Sequence, residues 1–91
     1  MTDEEIITLI NTSLAEEFEL DSAKMVPEAR LREDLELDSL DRVDIVILLE
    51  RAFSFKIREE EAIREIRTLG DIHRFVIQKK REIENGGASQ T

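Results

Sequence analysis

The sequence predicts an all-α fold, and three observations carry that expectation. Apolar residues recur at three- and four-residue steps in separate stretches; the main stretches open on a cap residue with an acidic partner three positions on; and no pair of alternating segments exists to build a sheet. Thr2 with Glu5 marks the first start. Ile6, Ile7, Leu9, Ile10, Leu14 and Phe18 then keep a helical period to about Glu19, with Glu and Asn on the solvated side. The period breaks at Asp21-Ser22, and Pro27 pushes Val26 toward an extended conformation. A connection this long needs pins, and Met25, Val26, Leu31 and Leu35 supply them, with a short helical turn near Ala29–Glu33. Asp38 caps a second helix, DSLDRVDIVILLERAF. Ser54-Phe55-Lys56-Ile57 reads as an apolar loop, because no strand exists to pair with it. The charged stretch 58–66 is a short helix with Ala62, Ile63 and Ile66 inward, too short to stand unpacked. Thr68 with Asp71 opens the last helix, built on Leu69, Ile72, Phe75, Val76 and Ile83, with Lys79, Lys80 and Arg81 suited to its negative end. Residues 1–84 form one domain, and 85–91 a disordered tail with nothing to bury.

Composition removes several kinds of chemistry. The 91 residues include no Cys, so disulfides, thiolate nucleophiles and Cys-based metal sites are excluded, and any thiol must come from outside the sequence. The net charge of −9, from 22 acidic and 13 basic residues, argues against nucleic acid or an anionic membrane as partner and for a basic protein surface. Seven carboxylates and no Lys or Arg fall in residues 1–22. Neither a signal peptide nor an apolar run of about 20 residues is visible, so the expectation is a soluble, cytoplasmic protein. Asp34, Glu36 and Asp38 alternate like the first ligands of a calcium loop, but Ser39 and Ile45 stand where such a loop needs Gly and Glu. The single His, His73, is expected on the surface of the last helix, which leaves Ser39 without a general base.

The chain is organised around Asp38-Ser39-Leu40-Asp41. Ser39 falls in the first turn of the second helix, where its hydroxyl is either a presented handle or an ordinary polar first-turn residue. At about 100° per residue, Ile45, Val46, Leu49, Ala52 and Phe53 gather on one side of that helix as a core face. Leu40, Val43 and Ile47 lie opposite, with Asp44, Glu50 and Arg51 among them and Asp41 at the edge. A small domain needs only one buried stripe, and the mixture of apolar residues with carboxylates favours a partner over a covering helix.

With these features the chain resembles the acyl carrier proteins over nearly its whole length. Glu33-Asp34-Leu35, then Asp38-Ser39-Leu40-Asp41 and Val43-Asp44, look like that family's attachment motif, at family-like distances from Phe53, Ile57 and Thr68–Val76. The resemblance implies a four-helix bundle with a long loop between helices one and two and a short third helix. It implies that Ser39 receives 4′-phosphopantetheine from coenzyme A, whose thiol carries acyl groups as thioesters, and that the protein is not itself a catalyst. It further implies that Asp38, Leu40, Asp41, Val43, Asp44, Ile47 and Glu50 dock onto basic patches of partner enzymes. Those partners would be a phosphopantetheinyl transferase and acyl-transferring and chain-elongating enzymes, served by a monomer. Ile45, Val46, Leu49 and Phe53 would part to shelter a chain. The sequence departs from the family at Glu36-Leu37, where a Gly-Ala-like pair is common, at Arg58, where Pro is frequent, and at Arg42 and Arg51 in a usually acidic helix. Fatty acid, polyketide and related lipid pathways stay open. So do an unmodified acidic helical adaptor for a basic protein and an aminoacyl or peptidyl carrier.

Overall fold

The computed structural model describes residues 1–58 and 64–86. Among these it is all-helical: α1 spans Asp3–Phe18, α2 Ser39–Phe53 and α3 Leu69–Gly86, with one 3-10 turn at Ser22–Lys24 and no strand. Each α-helix starts where its cap chemistry says. Thr2 Oγ1 accepts the Glu5 N–H at 3.2 Å while Glu5 Oε1 accepts the Thr2 N–H at 2.7 Å. Thr68 Oγ1 accepts the Asp71 N–H at 3.1 Å, and Asp71 Oδ2 accepts the Thr68 and Arg67 N–H groups, both at 3.0 Å. Such reciprocal caps satisfy donors that a helix start otherwise leaves unpaired. α1 ends as Glu19 turns left-handed, at φ 53°.

α1 packs on both α2 and α3, burying Ile6, Ile10 and Leu14 against Ile45, Val46, Leu49 and Phe53 of α2 and Leu69, Ile72 and Val76 of α3 in one apolar cluster. The long connection is pinned into that cluster by Met25, Leu31 and Leu35, as expected, and also by Ala29 and Leu37. Val26 corrects the expectation, because it is 46% exposed. Met25 is the centre of an inverse γ-turn, φ −88° and ψ 68°, in which the Val26 N–H bonds to Lys24 O at 3.0 Å, and this turn leaves Met25 inward and Val26 outward. The helical turn expected near Ala29–Glu33 is a single turn at 30–34, closed by the Asp34 N–H on Arg30 O at 2.9 Å, and Arg30 also forms an isolated bridge with Thr68. Backbone bonds then tie this connection to the start of α3: Leu31 N–H to Arg67 O at 2.9 Å, Leu69 N–H to Ala29 O at 2.9 Å and Gly70 N–H to Pro27 O at 2.8 Å. Gly70 permits the last of these, since a Cβ there would sit 3.0 Å from the Pro27 carbonyl oxygen.

After α2, Ser54 turns the chain left-handed and 55–57 is an apolar loop as read from sequence. Phe55 stacks on Phe53 with ring centroids 5.8 Å apart, and Ile57 is buried. Of the expected short helix over 58–66, Ala62 and Ile63 lie outside the described residues, while Arg64 and Glu65 are helical and Ile66 is buried. α3 continues through Gly86, two residues beyond the expected domain boundary, and the rest of the tail lies outside the described residues. The longer helix leaves no basic residue in its last turn, so Lys79, Lys80 and Arg81 do not serve its negative end. Arg81 instead pairs with Asp3 at 2.7 Å and joins α3 to the first turn of α1.

His73 is a second correction: it is only 6% exposed, with Nε2 at 2.8 Å from Asn11 Oδ1 across the α1–α3 contact. Burial, then the nearby Arg74 charge, lowers its pKa below the ordinary 6.5. The folded chain therefore holds a neutral imidazole, whereas the unfolded chain takes up a proton as pH falls through 6.5. The stabilisation is complete above that value and is lost as pH falls through it toward the depressed folded value. Wild type should thus lose melting temperature between about pH 7.5 and pH 5.5, and His73→Gln should show a flatter profile over that range. Parallel profiles would remove His73 as the source.

Candidate functional site

The start of α2 is built by Asp38. Its Oδ1 accepts the Leu40 and Asp41 N–H groups, both at 3.0 Å, and Asp41 Oδ2 accepts the Asp38 N–H at 3.0 Å. The bond from the Asp41 N–H, with help from the Leu40 N–H and the Arg32 charge, holds the Asp38 carboxyl below the usual Asp range. Just before it, Glu36 adopts a left-handed conformation, φ 57°. That conformation is easy for Gly and costs a side-chain-bearing residue roughly 1–2 kcal/mol. The chain makes this turn with Glu and anchors it through buried Leu37, whose N–H reaches Leu31 O at 2.7 Å.

Ser39, the first residue of α2, is exposed. It opens onto a recess of about 190 Å³ lined by Arg32, Leu37, Asp38, Ser39 and Arg42. Among the described residues neither Arg32 nor Arg42 forms an ion pair with a carboxylate. Arg42 Nε is enclosed and has no hydrogen-bond partner among the described residues. Leaving a buried donor unpaired costs roughly 1–3 kcal/mol, and more when the group is charged. In the sequence Arg42 stands out only as a departure from an acidic helix. Its position one turn past Ser39 was the available signal, because residues three apart on a helix are neighbours.

The two faces of α2 differ as its periodicity requires. Ile45, Val46, Leu49 and Phe53 are buried. Opposite them Leu40 is 76% and Ile47 42% exposed, Asp44 is exposed and Val43 half-buried. Not every carboxylate on this side is unengaged. Asp38 and Asp41 are engaged in the cap, and Glu50 Oε2 accepts the Ile57 N–H at 2.8 Å, fixing the loop after α2. No group of His, Asp and Glu among the described residues is placed to hold a metal ion, and no described helix is long and apolar enough to cross a membrane.

Fold and helix end together define a small acidic helical domain that presents one hydroxyl beside a cationic recess and, on an adjoining face, apolar residues among carboxylates. Comparison with known families matches residues 4–76 to the phosphopantetheine attachment site family. The chain is 42% identical over 72 residues to acyl carrier protein 2 of Ralstonia nicotianae, covering 79% of this chain and 88% of that protein. It is 37% identical over 79 residues to the acyl carrier protein of Thermosynechococcus vestitus, covering 87% and 96%. It is 40% identical over 78 residues to that of Rubrobacter xylanophilus, covering 86% and 95%. The chain belongs to the acyl carrier protein family. It is a carrier and not an enzyme, and its cofactor is 4′-phosphopantetheine.

The recess suits such a group. An exposed hydroxyl is available for esterification, and two guanidinium groups without carboxylate partners among the described residues, one bearing the orphaned Nε, line the recess and suit an anion such as a phosphodiester.

Proposed function

We propose that Ser39 is the attachment residue and that the loaded protein shuttles acyl thioesters between the enzymes of fatty acid, polyketide or related lipid biosynthesis. The observation that carries this reading is the exposed Ser39 hydroxyl at the capped start of α2, inside the span matched by the phosphopantetheine attachment family. When bound, phosphopantetheine supplies a thiol, which the Cys-free sequence lacks. The chain's own residues hold the hydroxyl at a fixed helix end through Asp38 and Asp41 and leave it open to an incoming enzyme. The fold class is a four-helix bundle with a short third helix, and the protein is a monomer working in the cytoplasm, with residues 1–84 as the carrier domain. Intact mass after incubation with coenzyme A and a broad-specificity phosphopantetheinyl transferase, followed by peptide mapping, tests this. A single phosphopantetheinyl group on Ser39 is the expected result, and a folded protein that gains none with several transferases overturns the reading.

The face formed by Asp38, Leu40, Asp41, Val43, Asp44, Ile47 and Glu50 docks the transferase and the acyl-handling enzymes through their basic patches. Exposed Leu40 and Ile47 on either side of Asp44 support this. Since Asp38, Asp41 and Glu50 also hold the fold, Asp44 and Ile47 are the positions where docking separates from stability. Asp44→Lys should lower kcat/KM for loading by about tenfold or more at low salt, the deficit narrowing as ionic strength rises, with an unchanged melting temperature. Equal loading of variant and wild type at every ionic strength would remove Asp44 from the docking face.

A further inference from the structure

We propose that Arg42, assisted by Arg32, grips the phosphodiester formed at Ser39 and so sets the direction in which the phosphopantetheine arm leaves the protein. The proposal rests on Ser39 being the attachment residue. Esterifying Ser39 puts an anion beside Asp38 and close to Asp41, in a chain whose net charge is already −9. The usual local help is taken: the Leu40 and Asp41 N–H groups at the helix start are already bonded to the Asp38 carboxylate. The positive charge that offsets the phosphate must therefore come from side chains. Arg32 and Arg42 line the recess that contains Ser39, and among the described residues neither is ion-paired. Arg42 follows Ser39 by three residues, and helical side chains lean toward the N-terminus, so its guanidinium is carried back over the first turn. Its enclosed Nε lacks an acceptor, and a small turn of the side chain toward a phosphate oxygen gives it one. Guanidinium presents paired donors to phosphate oxygens, a geometry that a Lys ammonium does not reproduce. An arm held this way leaves on the Arg32 and Leu37 side of the α2 start, so the apolar residues Leu40 and Ile47 stay uncovered for a partner.

The test uses full-length protein loaded from coenzyme A, with complete loading at Ser39 established by mass before any spectrum is taken. Absence of that mass gain overturns the attachment reading and this proposal with it. On loaded wild type, the Arg42 Nε–H resonance should move downfield and its exchange with water should slow relative to the unloaded protein. The phosphodiester phosphorus resonance should shift between loaded wild type and loaded Arg42→Met, with Arg42→Lys keeping only part of the wild-type position and Arg32→Met a smaller change. Arg51→Met, which removes the same charge farther along α2, should leave the phosphorus resonance in place. An unmoved Arg42 Nε–H signal on fully loaded wild type, or one phosphorus position shared by wild type and Arg42→Met, overturns the grip. The wild-type comparison needs no variant, so it decides the question even where Arg42→Met folds poorly.

Discussion

Ser39→Ala should gain no phosphopantetheinyl group under conditions that load the wild type completely, while Ser13→Ala, Ser22→Ala and Ser54→Ala load normally. The loss is all or none because the bond to be made is to the Ser39 hydroxyl itself, and no neighbouring nucleophile replaces it in a chain without Cys. The variant should also keep its melting temperature. The Ser39 side chain is exposed and makes no hydrogen bond among the described residues, and substitutions of that kind usually change stability by no more than about 0.5 kcal/mol. Asp38→Ala gives the contrast that makes the result interpretable. It leaves the hydroxyl in place but removes the acceptor of two N–H groups, so it should weaken the fold by roughly 0.5–2 kcal/mol and slow loading without abolishing it. A Ser39→Ala protein that still gains the group would move the attachment to another residue, and mapping would show which.

How far the sequence was legible follows from the range of the interactions involved. The three caps could be read directly, because Thr2 with Glu5, Asp38 with Asp41 and Thr68 with Asp71 are bonds between residues three apart. The buried stripe of α2 was legible for the same reason: its period is local. The anchoring of the long connection was legible only as apolar content. Nothing in the spacing of residues 27–31 says that they bond to Arg67, Leu69 and Gly70, since those pairings join segments far apart in the chain. The outward position of Val26 follows from the tight turn at Met25, which apolar content alone does not reveal. His73 failed although a signal existed: Leu69, Ile72, His73 and Val76 stand at i, i+3, i+4 and i+7, the spacing of an inward stripe, and the polar partner that makes the burial tolerable, Asn11, sits 62 residues away. Around Ser39 the motif marks the serine and the carboxylates proposed to dock, yet it does not show that several of those carboxylates are already engaged, or that Arg32 is brought beside Arg42.

Leu49→Ala tests the interior of the carrier and should produce the largest change in stability. Leu49 is fully buried, and removing such a side chain typically costs about 2–5 kcal/mol, part of it for the void left behind. A domain of this size unfolds with only about 5–15 kcal/mol to spare, and each kcal/mol shifts the midpoint by several degrees, so the unloaded variant should melt roughly 10 °C or more below wild type. If Ile45, Val46, Leu49 and Phe53 are the residues that part to shelter an acyl chain, the void at position 49 adjoins the path of that chain. Each methylene that enters it should contribute about 0.8 kcal/mol, whereas in wild type the same chain must first displace packed side chains. Acylation through phosphopantetheine should therefore raise the melting temperature of Leu49→Ala more than that of wild type, and the difference should grow with acyl length until the void is filled. Equal shifts in the two proteins at every chain length would mean that the chain does not pass beside Leu49. The proposed pocket would then have to be abandoned in favour of an arm that keeps its cargo outside the core.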